Sequence, residues 1–109
     1  MTINDEIDAE CRVLSDILKS KNRAYGGAVF KSPVIAPHLT PGTAILVRMS
    51  DKIERLKTLA NNIADAPNDN INALNAAIDD SISDLAGYCI LLRIERRCRG
   101  NFENESTEK

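Results

Sequence analysis

The chain has 109 residues, of which 43% are hydrophobic and 28% charged, which predicts one soluble globular domain. Its formal net charge of −2 argues against a general nucleic-acid binder, because such proteins usually carry a basic surface. With no Trp and only two Tyr and two Phe, the core must be aliphatic, which suits packed helices better than a β-sandwich.

The first helix is predicted from about Asn4 to Asn22. Thr2 or Asn4 can cap it, and the acidic residues that follow suit the positive end of the helix dipole. Residues at helical spacing form one apolar face: Ile7, Cys11, Leu14, Ile17 and Leu18.

Residues 23–41 carry two glycines and three prolines and show no periodicity, which predicts a long connection. The connection is either a functional loop or a crossover strap between helices. The second helix is predicted from Pro41 to Asn61, because Thr40 supplies a capping hydroxyl and proline fits the first helical position. Its apolar stripe lies beside a charged flank: Ile45, Met49, Ile53, Leu56 and Ala60 beside Arg48, Asp51, Lys52 and Arg55.

A polar linker follows, and the third helix is predicted from Asn70 to Arg99, with Gly100 as its C-terminal cap. A break near Asn75 is an alternative. The single domain then covers residues 1–100, and the polar tail 101–109 is expected to be disordered. The stripe of the third helix is Ile71, Leu74, Ile78, Ile82, Leu85, Cys89 and Leu92.

These elements predict an all-α fold, a small helical bundle of three main helices. The third helix is longer than the other two can cover, so we expect a homodimer, or a higher homo-oligomer, that completes a four-helix-type core. The cysteines are odd in number and lack Cys-x-x-Cys spacing, so we expect reduced thiols in a cytoplasmic protein. An acidic N-terminus without an apolar run predicts no signal peptide, and no apolar stretch is long enough to cross a membrane.

Carboxylates are the strongest candidates for chemistry. Asp80 and Asp84 lie one turn apart in the third helix, where they repel each other when ionised, and Tyr88 continues their ridge. If Asp51 of the second helix faces them, three carboxylates converge on one Mg²⁺, which takes oxygen ligands and keeps several waters. The alternative is that these side chains are solvated charges on exposed helix faces.

Basic residues near these carboxylates are the second set of candidates. Arg48 and Arg55 pair with Asp51 at i, i+3 and i, i+4 spacing, which is either a surface ion-pair network or part of a phosphate site. Lys21 and Tyr25 precede two glycines, in either a simple helix-ending turn or a substrate loop.

Three motifs occur in order: Lys21-Asn22-x-x-Tyr25-Gly26, Arg48-x-x-Asp51-Lys52-x-x-Arg55-Leu56, and Asp80-x-x-x-Asp84-Leu85-x-x-Tyr88-x-x-Leu91-Leu92. With them, residues 13–95 resemble the phage and bacterial nucleotide-modification-associated domain family, which is itself similar to the all-α MazG-like nucleoside triphosphate pyrophosphohydrolases. The resemblance implies a dimeric, Mg²⁺-dependent protein that cleaves an NTP or dNTP to the monophosphate and pyrophosphate.

The resemblance also implies roles for individual residues. Asp51, Asp80 and Asp84 would hold Mg²⁺, and Glu54 would assist as a further ligand or base. The remaining candidates would bind the phosphates or shape the base pocket: Lys21, Asn22, Tyr25, Arg48, Lys52, Arg55 and Tyr88.

This chain has fewer of the metal-binding carboxylates that are usual in the MazG-like group. The usual Glu-Glu-x-x-Glu is replaced by Ser50-Asp51-Lys52-Ile53-Glu54, and the Asp80–Asp84 spacing is one residue wider than the usual Glu-x-x-Asp. Ala76 stands where a glutamate would extend the ridge. Two alternatives therefore stay open: a non-catalytic nucleotide-binding module of the same fold, and a helical protein-interaction module.

Overall fold

The computed structural model describes residues 1–64 and 70–98. Within these ranges the chain forms three α-helices, α1 (Ile3–Tyr25), α2 (Pro41–Ala64) and α3 (Ile71–Arg97), with one short 3₁₀ helix (Ala28–Phe30) and no strand. The predicted all-α class with three main helices is confirmed. Residues 65–69 of the linker predicted between Asn61 and Asn70, the cap at Gly100 and the tail 101–109 lie outside the described residues, whereas residues 61–64 belong to α2.

α1 begins and ends at residues suited to helix termini. Of the two predicted caps, Thr2 is used: its hydroxyl accepts from the Asp5 N–H at 3.1 Å, and the Asp5 carboxylate accepts from the Thr2 N–H at 3.0 Å. Gly26 ends the helix with φ 60°, a left-handed conformation that costs glycine little, and its N–H donates to the Asn22 carbonyl at 2.9 Å. The helix thus continues past its predicted end at Asn22, and Tyr25 is helical.

α2 begins at Pro41, as predicted, and the Thr40 hydroxyl accepts from the Thr43 N–H at 3.2 Å. It continues past the predicted Asn61 to Ala64. α3 runs without interruption from Ile71 to Arg97, so no break occurs near Asn75. Among the described residues, α2 and α3 form the main packing interface.

The best-buried side chains of the described residues are Ile45 on α2, 0% exposed, and Ser81 on α3, 1% exposed. The Ser81 hydroxyl donates to the Ala77 carbonyl at 3.0 Å, so this buried polar atom is satisfied. Among the hydrophobic residues in the described ranges, only Ala44 and Ile45 are buried. The hydrophobic core is therefore narrow.

Gly87 allows α1 to approach α3 closely. A β-carbon at this position would lie 3.0 Å from Cδ2 of Leu18 and 3.9 Å from Cδ1 of Leu14. Glycine inside a helix costs about 1 kcal/mol relative to alanine, and here the missing side chain makes room for α1. Leu14 and Leu18, in the C-terminal half of α1 (residues 14–25), are half-buried, whereas every residue at 1–13 is exposed.

The predicted apolar faces are wider than the surfaces that the described helices cover. Periodicity identifies an apolar face correctly but does not say how much of it another helix will contact. Several members of the predicted faces are exposed: Ile7, Cys11, Ile17, Ile53, Ala60, Ile82 and Cys89. Across the described ranges, no helix is both long enough and apolar enough to traverse a bilayer.

Candidate functional site

A cleft of about 710 Å³ opens where α1 lies against α3, with Arg48 of α2 at its side. This volume falls within the range of about 300–1,000 Å³ that is common for small-molecule sites. Residues from all three helices and from the segment after α1 line it: Leu14, Ile17, Leu18, Lys21, Asn22, Tyr25, Gly27, Ala28, Val29, Arg48, Asp80, Ser83, Asp84, Gly87, Tyr88 and Leu91.

Asp84 connects the three helices electrostatically. Its Oδ2 lies 3.1 Å from Nζ of Lys52 on α2, and its Oδ1 accepts from Nζ of Lys21 on α1 at 3.5 Å. The Asp84 side chain is 18% exposed and that of Lys52 24%, whereas Lys21 is 55% exposed. The Lys52 contact is therefore the better-shielded of the two ion pairs, and Lys21 retains freedom to move.

The surroundings of Asp84 keep its carboxylate charged. Partial burial raises the pKa of Asp84, but the hydrogen bond and charge of Lys52, together with those of Lys21, outweigh it and hold the pKa below its ordinary value. The carboxylate is thus ionised at neutral pH and stabilised by two cations.

Most of the residues predicted from the sequence meet at this cleft. Seven of them line it, namely Lys21, Asn22, Tyr25, Arg48, Asp80, Asp84 and Tyr88, and Lys52 reaches it through Asp84. Asp51, Glu54 and Arg55 are exposed on α2 and are not among the lining residues. Neighbouring helix positions differ by about 100° in direction, so Lys52 can face Asp84 while Asp51 does not line the cleft.

The predicted Mg²⁺ site requires carboxylates that lie close together. In the described part of the chain, no group of three or more His, Cys, Asp or Glu residues is arranged to hold a metal ion. Asp80 and Asp84 nevertheless both line the cleft, one turn apart on α3. Two carboxylates suit Mg²⁺ when water and substrate phosphates complete its octahedron, so the donors present fit a cation that enters with a phosphate ligand.

The glycines after α1 have separate roles. The Gly26 N–H donates to the Asn22 carbonyl, so this glycine forms the helix-ending turn that was one of the two alternatives for this segment. Gly27, with φ 74°, lines the cleft and leads into the 3₁₀ helix. The turn therefore shapes one end of the cleft.

Sequence reasoning missed Gly87 and the apolar part of the lining. Leu14 and Leu18 are predicted on the apolar face of the first helix, and Leu91 belongs to the third motif, yet all three also form the wall of the cleft. A glycine inside a strongly helical pattern and next to Tyr88 was an available signal, because such a residue usually marks a close approach.

No protein-family model, curated protein or solved structure matches the chain.

Proposed function

We propose that the cleft binds a nucleoside triphosphate and that, with Mg²⁺, the protein hydrolyses it to the monophosphate and pyrophosphate. The observation that carries the proposal is the meeting of cations and carboxylates around one cleft: Lys21, Arg48 and Lys52 with Asp80 and Asp84. Isolated surface charges would not need to converge from three helices.

The cations suit a chain of phosphates. Lys21 and Arg48 line the cleft from α1 and α2, and Lys52 lies behind Asp84. The arginine can hold a phosphate through two parallel N–H groups, and each lysine supplies a mobile point charge with three donors. These side chains would neutralise the triphosphate and stabilise the charge that develops on the leaving pyrophosphate.

The uncharged lining suits a base and sugar. Tyr25 and Tyr88 line the cleft together with leucines of α1 and α3. Aromatic rings and aliphatic walls give a planar base a surface on which to pack, while the tyrosine hydroxyls can contact the sugar or a base edge.

Asp80 and Asp84 would supply the carboxylate oxygens that bind Mg²⁺. The resemblance also implies Asp51 as a ligand of this metal. When bound, the metal would neutralise phosphate charge and orient a water for attack. Asp51, Glu54 and Arg55 lie away from the lining, so the proposal needs only the two α3 carboxylates and assigns no chemical step to those three residues.

Pyrophosphate release from a panel of NTPs and dNTPs with Mg²⁺ tests the activity. Lys21→Met is expected to weaken triphosphate binding about tenfold, because it removes a cation from the cleft. Lys19→Met removes an equal charge from an exposed position on the same helix that does not line the cleft, and should bind as the unmodified protein does. Equal losses in the two variants would contradict phosphate binding at this site.

A non-catalytic nucleotide-binding module is the second candidate function. Two observations favour it: the metal-binding carboxylates number only two within the described lining, and Asp84 is already engaged by two lysines. Calorimetry separates the candidates, because tight triphosphate binding without pyrophosphate release identifies a binding module. Absence of binding to any nucleotide removes both and leaves a helical interaction scaffold.

We further propose that a second copy of the chain completes a four-helix core, as the helix lengths predicted. Leu46 and Ile53 of α2 and Ile82 and Cys89 of α3 are exposed. Helical periodicity places all four on the side of the α2–α3 pair opposite the cleft. Two such faces packed together would bury apolar surface that the narrow core leaves open.

Sedimentation of matched variants tests this dimer. Ile53→Glu is expected to shift the protein toward monomer, because it places a charge in the apolar interface. Val47→Glu is the control, since Val47 is 50% exposed, close to the 54% of Ile53, but points in another direction on α2. A monomeric unmodified protein at high concentration would contradict the proposal.

A further inference from the structure

Lys21, which lines the cleft, and Lys52, which reaches it through Asp84, are both paired with the same carboxylate. Lys52 and Lys21 lie 3.1 Å and 3.5 Å from different oxygens of Asp84. Asp84 thereby takes the position that an anionic ligand would take, and a phosphate entering the cleft must compete with it for both cations.

We propose that Asp84 is an exchangeable internal anion. It holds Lys21 and Lys52 while the cleft is free of ligand, and a polyphosphate displaces it from them. The displaced carboxylate then has both oxygens free to join Asp80 in binding Mg²⁺. The release by polyphosphate stands on the ion pairs alone, whereas the nucleotide and the metal rest on the proposed function.

The exposure of the three side chains makes such an exchange accessible. Lys21 is 55% exposed and its contact is the longer one, so this ion pair is weak and easily replaced. Lys52 is better shielded, but each ammonium group has three donors and can turn from the carboxylate to a phosphate oxygen. Pyrophosphate and triphosphate carry more charge than one carboxylate, so they compete effectively for two lysines.

The exchange couples the two ligands. Mg²⁺ alone meets a carboxylate that is neutralised by cations, so its affinity is low. A triphosphate alone must displace Asp84 and leave that charge near the phosphates, which also lowers affinity. Bound together, each ligand removes the obstacle to the other, so the coupling is positive and reciprocal.

Calorimetry with inorganic pyrophosphate and a chelator, without divalent cations, tests the exchange directly. Asp84→Asn removes the competing charge and is expected to bind pyrophosphate about three- to tenfold more tightly than the unmodified protein. Asp80→Asn is the matched control, because it removes an equal charge one turn away and Asp80 has no ion pair with any described residue. It should change affinity less than Asp84→Asn.

An equal gain in pyrophosphate affinity in the two variants would show only general charge repulsion and would overturn the proposal. Weaker pyrophosphate binding by Asp84→Asn would also overturn it. A measurement on the unmodified protein covers the case in which Asp84→Asn fails to fold. The ¹³C signal of the Asp84 carboxyl should shift when pyrophosphate is added, while that of exposed Asp79 stays in place. An unmoved Asp84 signal at saturating pyrophosphate overturns the exchange.

Adding Mg²⁺ tests the coupling. It should raise the affinity of the unmodified protein for pyrophosphate, and the rise should shrink in both variants. Nucleoside triphosphates titrated in parallel separate the two proposals. Pyrophosphate exchange without nucleotide binding refutes the proposed function alone, and nucleotide hydrolysis without a gain in Asp84→Asn refutes the exchange alone.

Discussion

The two halves of α1 have similar apolar content but different surroundings. In the N-terminal half (residues 3–13) every residue is exposed, including Ile3 and Ile7. This half is stabilised by the hydrogen-bonded cap between Thr2 and Asp5. In the C-terminal half, Leu14 and Leu18 pack beside Gly87 and a lysine reaches Asp84. The cleft therefore depends on the docking of half a helix and not on helix formation itself.

Enlarging Gly87 should have the largest effect. Gly87→Leu places a side chain where Leu18 lies 3.0 Å from the β-carbon position, so α1 must move away from α3. Overpacking of this kind costs about 1–3 kcal/mol of unfolding free energy. The movement of α1 should also carry Lys21 away from the cleft and weaken nucleotide binding about tenfold, by the loss of a positioned charge.

Urea unfolding and calorimetry measure the two effects of Gly87→Leu. Ala76→Leu is the control, because Ala76 is exposed on the same helix and has room for the larger side chain. Unchanged ligand affinity in Gly87→Leu would show that the cleft does not need the docked half of α1.

Truncating one aliphatic side chain in each region of α1 compares the docked and exposed halves directly. Leu18→Ala removes a half-buried side chain and should cost about 1–2 kcal/mol of unfolding free energy, less than a fully buried leucine. Ile7→Ala alters a side chain that is 53% exposed and should change stability by less than about 0.5 kcal/mol. A cost for Ile7→Ala that grows with protein concentration would instead place Ile7 in contact with a second copy.

The sequence predicts the helices well because their termini are encoded locally. Thr2 with Asp5, and Thr40 with Pro41, are short-range signals, and the structure confirms both. The end of α1 was placed too early because the basic and aromatic residues before Gly26 continue the helix without a change of composition.

The candidate site is predicted less completely, for a physical reason. Motif order and helical spacing identify Lys21, Asp80 and Asp84, which do meet at the cleft. Helical spacing places Asp51 and Lys52 on the same charged flank of α2, but it does not determine which of the two side chains faces α3. The packing of α2 on α3 decides between them, and that packing depends on the whole interface.

Removal of the α1 cap should affect the exposed half alone. Thr2→Ala deletes the hydroxyl that accepts from the Asp5 N–H and should cost about 1 kcal/mol of local helix stability. Hydrogen exchange at Asp5 and Glu6 should accelerate, while exchange in residues 18–25 and ligand affinity stay constant. Faster exchange through the whole of α1 would show that the two halves fold as one unit.

Acid titration should produce the smallest change in stability. It distinguishes the exposed half of α1, which contains Asp5, from the docked half, which contacts Asp84. The pKa of Asp5 is lowered by hydrogen bonds from the Thr2 backbone and hydroxyl. That of Asp84 is lowered because its lysines outweigh the opposing effect of burial. A lowered folded-state pKa means that each contribution to stability is complete above the ordinary value of 3.8 and is lost as the pH falls through the folded value.

Carboxyl ¹³C shifts recorded from pH 7 to pH 2 can follow both groups. Protonation of Asp5 should perturb signals in the first turn of α1. Protonation of Asp84 should perturb residues on all three helices, since its lysines lie on α1 and α2. In Lys52→Met, the Asp84 titration should move to higher pH while that of Asp5 stays unchanged, because only Asp84 loses a cation. If Asp84 titrates at the same pH in both proteins, the Lys52 ion pair contributes nothing in solution, and α2 and α3 are held together by their packing without this ion pair.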